Sequence, residues 1–187
     1  MKVLLLNGSR REKGCTFTAL TEVAKALEAN KISTEIIHAV PDDQIVKEVA
    51  EKIKTADGLV LGSPVYWASP SGEMVTFMDK LSAIAGADLR HKPGAAIASA
   101  RRAGTTATLE VLQKYLMYCE MPIVSSNYWA MVHGNTPEEV KKDLEGMQIM
   151  HVLGNNMAWL LNCIAAGKAA KVVEPAKEAK VMTSFIR

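Results

Sequence analysis

Aromatic residues make up only 5% of this 187-residue chain: three Phe, four Tyr and three Trp. Cysteine is rarer, with single residues at Cys15, Cys119 and Cys163. No C-x-x-C pair occurs, so the spacing of a zinc site or an iron–sulfur cluster is missing. An odd, scattered set suits a reducing cytosol. Cys119 and Cys163 read as small buried hydrophobes, and the four histidines, His38, His91, His133 and His151, share no ligand spacing. Charge of one sign is also lacking. Lys plus Arg number 22 against 20 Asp plus Glu, a formal net charge of +2, which leaves no basic footprint for nucleic acid. Long apolar runs are absent too. The N-terminal run Val3–Leu6 is short and followed by Arg10 and Arg11, unlike a signal peptide. His151, Asn155, Asn156 and Asn162 interrupt the apolar C-terminal third, whereas a membrane span needs about 20 mostly apolar residues. A cytoplasmic protein with no nucleic-acid or membrane partner is expected.

Hydrophobic residues make up 49% of the chain and charged ones 22%, ordinary for a globular protein. The length suits one domain over residues 1–187, with 168–187 a weakly specified, Lys-rich tail. Strand and helix signals alternate. Lys2–Leu6, Ile32–His38, Gly58–Gly62 and Ala95–Ala100 read as strands, and Ile123-Val124 begins a short fifth. Helix stripes run through Phe17, Leu20, Val23 and Leu27, then Ile45, Val49 and Ile53. Others run through Met74, Phe77, Met78, Leu81 and Ile84, and through Leu109, Leu112 and Leu116. Thr105 or Thr106 is the expected cap of the helix after the fourth strand. Thr136-Pro-Glu-Glu139 is a helix start with a Thr cap and Pro at the first position. That last helix is expected to reach Ala166, bent near Gly146 or Gly154, and to stop at Gly167. Such alternation implies α/β architecture: a doubly wound, five-stranded parallel sheet of flavodoxin-like type with helices on both faces. Ligands then bind beyond the C-terminal strand ends, where the loops after the first, third and fourth strands meet.

Those loops carry the chemistry. The first, Asn7-Gly-Ser-Arg-Arg-Glu-Lys-Gly-Cys-Thr16, joins a strand to a helix, the layout that binds phosphate on free backbone N–H groups. It matches neither G-x-G-x-x-G nor G-x-x-x-x-G-K-[ST]. Ser9 and Thr16 offer hydroxyl donors and Arg11 offers charge; an ordinary turn with solvated arginines has the same composition. The second, Ser63-Pro-Val-Tyr-Trp-Ala-Ser-Pro-Ser-Gly72, is stiffened by two prolines and places Tyr66 beside Trp67. It suits a flat heteroaromatic ring, or packing against a neighbouring subunit. The third, Ser99-Ala-Arg-Arg-Ala-Gly-Thr-Thr106, sets Arg101 and Arg102 near a helix start, an unfavourable place for positive charge unless an anion is met there.

Together NGSRREKGCT at 7–16, GSPVYWASPSGEM at 62–74 and SARRAGTT at 99–106 resemble the NAD(P)H-dependent FMN reductase branch of the flavodoxin-like superfamily, over about the first 130 residues. The resemblance implies that Ser9, Arg11, Cys15 and Thr16 hold the FMN phosphate, with Gly14 allowing close approach. It implies that Pro64, Val65, Tyr66 and Trp67 lie along the isoalloxazine ring, and that Ala100, Arg101, Arg102 and Gly104 reach its pyrimidine edge. The related iron–sulfur flavoproteins add a compact cysteine cluster that this chain lacks, so FMN alone is expected, with no metal. The implied activity is an FMN-dependent NAD(P)H oxidoreductase, with NADPH or NADH as co-substrate. It passes hydride through FMN to a small-molecule electron acceptor such as a quinone, flavin or azo compound, and needs no catalytic side chain. A homodimer or homotetramer is implied, with Met147, Met150, Met157, Trp159 and Leu160 a candidate interface. Tyr128-Trp129 reads first as core or interface packing. The alternative is a non-enzymatic flavodoxin-type electron carrier, but such carriers are usually strongly acidic and this chain is not. A scaffold without cofactor is a third reading, disfavoured by the intact first and second loops.

Overall fold

The computed structural model describes residues 1–185. In chain order the elements are β1 (Lys2–Asn7), α1 (Cys15–Ala29), β2 (Ser33–His38), α2 (Asp43–Thr55), β3 (Gly58–Tyr66), β4 (Ser69–Pro70), α3 (Gly72–Ala85), β5 (Gly94–Ala100), α4 (Thr105–Tyr118), β6 (Met131–His133), α5 (Pro137–Val140) and α6 (Leu144–Ala169). A short 3₁₀ turn, Gly86–Leu89, follows α3. The five parallel strands lie in the order β2-β1-β3-β5-β6, with β4 paired antiparallel to β3. Counted along the parallel strands this is 2-1-3-4-5, the flavodoxin-like order, with its switch point between β1 and β3.

The central strands are apolar on both faces because helices cover both. Leu4 and Leu6 pack with Leu59, Leu61, Ala96 and Ala98 under α2, α3 and α4. Val3 and Leu5 pack with Val60, Ala95 and Ile97 under α1 and α6. Each fully buried Leu or Ile contributes about 1.5–3 kcal/mol relative to exposure. Asp42 caps α2, accepting from the Gln44 and Ile45 N–H groups at 2.9 and 3.2 Å.

Several boundaries differ from expectation. Strand β3 runs through Pro64 to Tyr66 and turns back at Trp67-Ala68, so the expected loop is mostly a tight hairpin. Pro64 is tolerated because β1 ends at Asn7, opposite Gly62, so no ladder bond requires its missing N–H. The fifth strand only touches the sheet at Ile123, bridging Gly94, and pairs again as β6 at Met131–His133. Gly104, with φ +97°, replaces Thr105 or Thr106 as the cap of α4. The last helix is two helices. Thr136 caps α5, and Asp143 starts α6 by accepting from Gly146 N–H at 2.9 Å. Gly154 serves close packing: a Cβ there would sit 2.6 Å from Ala26 Cβ on α1. Helix α6 passes Gly167 and ends at Ala169, with Lys171 taking the left-handed position at φ 61°. Cys163 is exposed, not buried, whereas Cys119 is buried. Met150 and Met157 belong to the core, leaving Trp159 as an exposed apolar residue on that helix. Beyond α6 the chain has no regular structure; Arg90 Nη2 donates to the Pro175 carbonyl at 3.1 Å and Lys180 Nζ lies 4.4 Å over the Tyr118 ring. Residues 186 and 187 of the expected tail lie outside the described residues.

Glu35 on edge strand β2 accepts from Lys2 Nζ at 2.6 Å and from Lys52 Nζ. The Lys2 bond, then the Lys52 bond, holds its carboxyl below the ordinary value of 4.5. A depressed carboxyl stabilises the fold above its ordinary pKa, and that contribution is lost as pH falls through the lower, folded-state value. The groups are partly exposed, so about 1 kcal/mol or less is at stake. Denaturant titrations of Glu35→Gln should therefore show lower stability than the parent at pH 7, converging with it once the pH has fallen below the lowered folded-state value of the carboxyl.

Candidate functional site

The turns after β1, β3, β5 and β6 meet at the C-terminal edge of the sheet. They enclose a cleft of about 250 Å³ lined by Ser9, Arg11, Cys15, Thr16, Pro64, Val65, Tyr66, Ser99, Ala100, Arg101, Gly134 and Asn135. Its floor is the switch point between β1 and β3, where doubly wound sheets take ligands.

The first turn is held from outside. Gly8 N–H donates to Gly62 O at 2.8 Å, and Ser71 Oγ donates to Gly8 O at 2.5 Å. Asn7 Oδ1 accepts from Ser9 N–H at 3.1 Å, while Asn7 Nδ2 donates to Glu12 O at 2.8 Å. His38 Nε2–H donates to Ser9 O at 2.7 Å. These bonds fix the turn without using the first N–H groups of α1. That helix begins after Gly14, with no side-chain cap and no acidic residue in its first turn. By contrast α2, α3, α5 and α6 are capped by Asp42, Ser71, Thr136 and Asp143. Helices α1 and α4 start from glycines without side-chain caps. Uncapped helix starts leave N–H donors and the positive end of the helix dipole available to an anion.

Thr16 and Ser99, 1% and 3% exposed, share one hydrogen bond at 2.7 Å between their hydroxyl oxygens. Two hydroxyls joined by one bond retain one further proton to donate. Burial pushes the Cys15 thiol above its ordinary value, and its Sγ donates to the Gly134 carbonyl at 3.7 Å. The thiol therefore stays protonated near neutral pH.

The two arginines of the first turn separate. Arg11 lines the cleft, whereas Arg10 turns outward, pairing with Glu73 Oε1 at 2.5 Å and lying 5.3 Å over the Tyr66 ring. Glu73 is held below its ordinary value by its own backbone N–H first, and by Arg10. The hairpin wall supplies Pro64, Val65 and Tyr66, while Trp67 stands fully exposed at the tip with φ 54° beside Ala68 at 56°. In the third turn Ala100 and Arg101 line the cleft. Arg102 is exposed and outside the lining; its carbonyl accepts from His133 Nε2–H at 3.1 Å.

Of the residues expected from sequence, the cleft thus gathers Ser9, Arg11, Cys15, Thr16, Pro64, Val65, Tyr66, Ala100 and Arg101. Gly14, Trp67, Arg102 and Gly104 lie outside its lining: Gly14 caps α1, and Gly104 braces the third turn against the hairpin at Ala68. Sequence reasoning missed Ser99, Gly134 and Asn135 as lining residues and His38 as a support. Ser99 stands within a quoted motif, one residue before Ala100. Gly134 and Asn135 were hidden by placing the fifth strand at Ile123 instead of Met131, and no local signal marks His38.

The NADPH-dependent FMN reductase family model matches residues 1–136. The chain belongs to that family. It is therefore a flavin-dependent oxidoreductase by class. An iron-sulfur flavoprotein of Methanocaldococcus jannaschii is 28% identical over 192 residues, covering 88% of this chain and 99% of that protein. One from Archaeoglobus fulgidus is 27% identical over 188 residues, covering 83% and 95%. The fold is shared with a flavodoxin, WrbA-like protein from Agrobacterium tumefaciens at TM-score 0.69 and 17% identity, covering 87% of this chain and 97% of that one. It is also shared with a flavone reductase at TM-score 0.71 and 17% identity, covering 88% and 64%. Among the described residues, no group of three or more His, Cys, Asp or Glu is placed to hold a metal ion. No helix among them is long and apolar enough to cross a membrane.

The donor set of this FMN reductase family member fits FMN. A phosphate monoester asks for several N–H and O–H donors and a cation, and the start of α1 with Ser9, Thr16 and Arg11 offers them. A flat ring asks for a stiff apolar wall with a polar edge, and Pro64, Val65 and Tyr66 face Ala100 and Arg101 across the same cleft.

Proposed function

We propose that this chain is an FMN-dependent NAD(P)H oxidoreductase serving a small acceptor such as a quinone, a free flavin or an azo compound. The observation that carries the reading is the joining, in one cleft, of an uncapped helix start beside Arg11 with the hairpin wall Pro64–Tyr66. When bound, FMN supplies the hydride and electron chemistry. The start of α1, Ser9, Thr16 and Arg11 hold its phosphate. Pro64, Val65 and Tyr66 orient the ring and shield one face from water. Arg101 supplies positive potential at the ring's polar edge, where negative charge is stabilised. The cleft lining contains no carboxylate and no histidine, which suits chemistry that needs no protein base. NADPH is the favoured reductant by the family description, and a homodimer or homotetramer is the proposed working unit, with exposed Trp159 on α6 as a candidate contact.

Anaerobic stopped-flow mixing of the FMN-loaded protein with NADPH or NADH tests the reading. Bleaching of the oxidised-flavin absorbance by either nucleotide, and its return on adding a quinone, is the expected result. If dithionite bleaches the flavin and neither nucleotide does, the reductase reading fails and an electron carrier replaces it.

A further inference from the structure

The sheet has an unusual gap at its edge. Gly94 N–H donates to Pro122 O at 2.9 Å, and Val124 N–H donates to Gly94 O at 2.8 Å. The chain then leaves the edge, and pairing resumes where Ala98 N–H donates to Ala130 O at 2.9 Å. Leu59 N–H donates to Pro93 O, so alternation gives residues 93, 95, 97 and 99 to β3 and turns 94, 96, 98 and 100 toward the fifth strand. Ala96 alone falls within the gap. Its N–H and C=O have no hydrogen-bond partner among the described residues, yet it is only 4% exposed. Buried backbone groups are nearly always paired, and an orphan N–H is rare.

A cavity of about 370 Å³ stands where the missing ladder would be, and it shares no lining residue with the cofactor cleft. Ala96 lines it, together with Gln113 of α4 and with Ser125, Asn127, Tyr128 and Trp129 from the excursion. The Tyr128 and Trp129 rings meet edge to face, centroids 4.6 Å apart and planes at 84°. Both are exposed rather than packed in the core, at 54% and 57%. No lining residue is charged.

We propose that this cavity is a second binding site for a small, neutral, flat ring carrying a carboxamide or lactam edge. An extended residue presents its N–H and C=O side by side on one edge of the strand. A ligand carbonyl accepts from Ala96 N–H while the adjacent ligand N–H donates to Ala96 C=O, the pairing that an added strand would make. Tyr128 and Trp129 offer an apolar ring contact, and Gln113 and Asn127 offer amide groups to further polar atoms. The absence of charge in the lining selects against carboxylates and phosphates, the ligands the other cleft is built to attract. Water alone satisfies the two backbone groups but makes no use of the aromatic pair.

Amide-resolved NMR titration of the full-length, FMN-saturated protein with nicotinamide tests the site, with N,N-dimethylnicotinamide as the probe lacking the N–H. Nicotinamide is expected to shift the Ala96 amide, the Gln113 side-chain amide and the Trp129 indole N–H saturably. The dimethyl probe is expected to bind at least tenfold more weakly. Trp129→Ala and Gln113→Ala change residues already part-exposed, and each is expected to weaken nicotinamide binding fivefold or more with the spectrum otherwise native. Three results overturn the proposal: shifts confined to cleft residues such as Thr16 and Arg101, equal binding of both probes, or no saturable shift at Ala96. The last would leave the gap as a hydrated bulge.

Discussion

Gly104→Ala is expected to unfold at markedly lower denaturant than the parent and to lose the shape of the cleft, while Gly72→Ala leaves both intact. At Gly104, φ is +97°, a conformation L-residues adopt at a cost of roughly 1–2 kcal/mol. A Cβ there would also lie 2.6 Å from Ala68 Cα and 2.8 Å from Val65 Cγ1. Ala68 has no room to yield, because it and Trp67 already hold positive φ in a two-residue hairpin tied by the Val65–Pro70 and Tyr66–Ser69 pairs. Type I′ geometry normally recruits Asn-Gly, so Trp-Ala is strained before any mutation. Strain and clash together predict a loss of about 3 kcal/mol, a midpoint shift of about 1 M or more in urea. At Gly72 nothing lies within 4 Å of a new Cβ and the backbone is helical, so its change stays within about 0.5 kcal/mol. Urea titrations of the two variants measure the difference, and equal midpoints would remove the third turn's dependence on the hairpin.

Arg11→Ala is expected to weaken FMN binding by about 10–100-fold, and Arg10→Ala by no more than about threefold. The two residues are adjacent and identical in type, so sequence alone does not rank them. The structure does. Arg11 lines the cleft beside the start of α1, whereas Arg10 is committed to Glu73 and to the face of Tyr66 with a side chain 68% exposed. A charge-assisted bond to phosphate is worth roughly 1.5–3 kcal/mol, while an exposed ion pair is worth about 0–1. Raising salt should narrow the gap between parent and Arg11→Ala, because part of that attraction is screened. Flavin-fluorescence quenching at low and high salt reads both effects.

The alternation of strands and helices, and the covering of the sheet on both faces, were legible because apolar runs and stripes are written locally. Val3–Leu6 is buried throughout, as its unbroken apolar run says, and the stripe Val49 and Ile53 faces the core of α2. The turn after β1 was legible because a strand, a Gly/Ser/Thr loop and a helix are contiguous. What was not legible depended on contacts far along the chain. Pro64 reads as a loop residue until the end of β1 is known to leave its missing N–H unneeded. Ile123-Val124 carries the right β-branched signal and does touch Gly94, but the ladder resumes only at Met131, where nothing marks a strand start. That displacement hid Gly134 and Asn135. Asp143 ends the apparent continuity of the last helix through a cap on Gly146, a signal easily lost behind the stronger Thr136-Pro137 start. Trp67, expected along the ring beside Tyr66, stands at the hairpin tip, fully exposed and outside the cleft lining, a placement set by the hairpin pairing.

In the proposed function the cleft at the switch point holds a flavin by its phosphate, at the uncapped start of α1. Titration of the flavin-free protein with FMN and with riboflavin, which differ only in that phosphate, measures what the phosphate contributes. FMN is expected to bind about 100-fold or more tightly than riboflavin. Equal affinity for the two would contradict it.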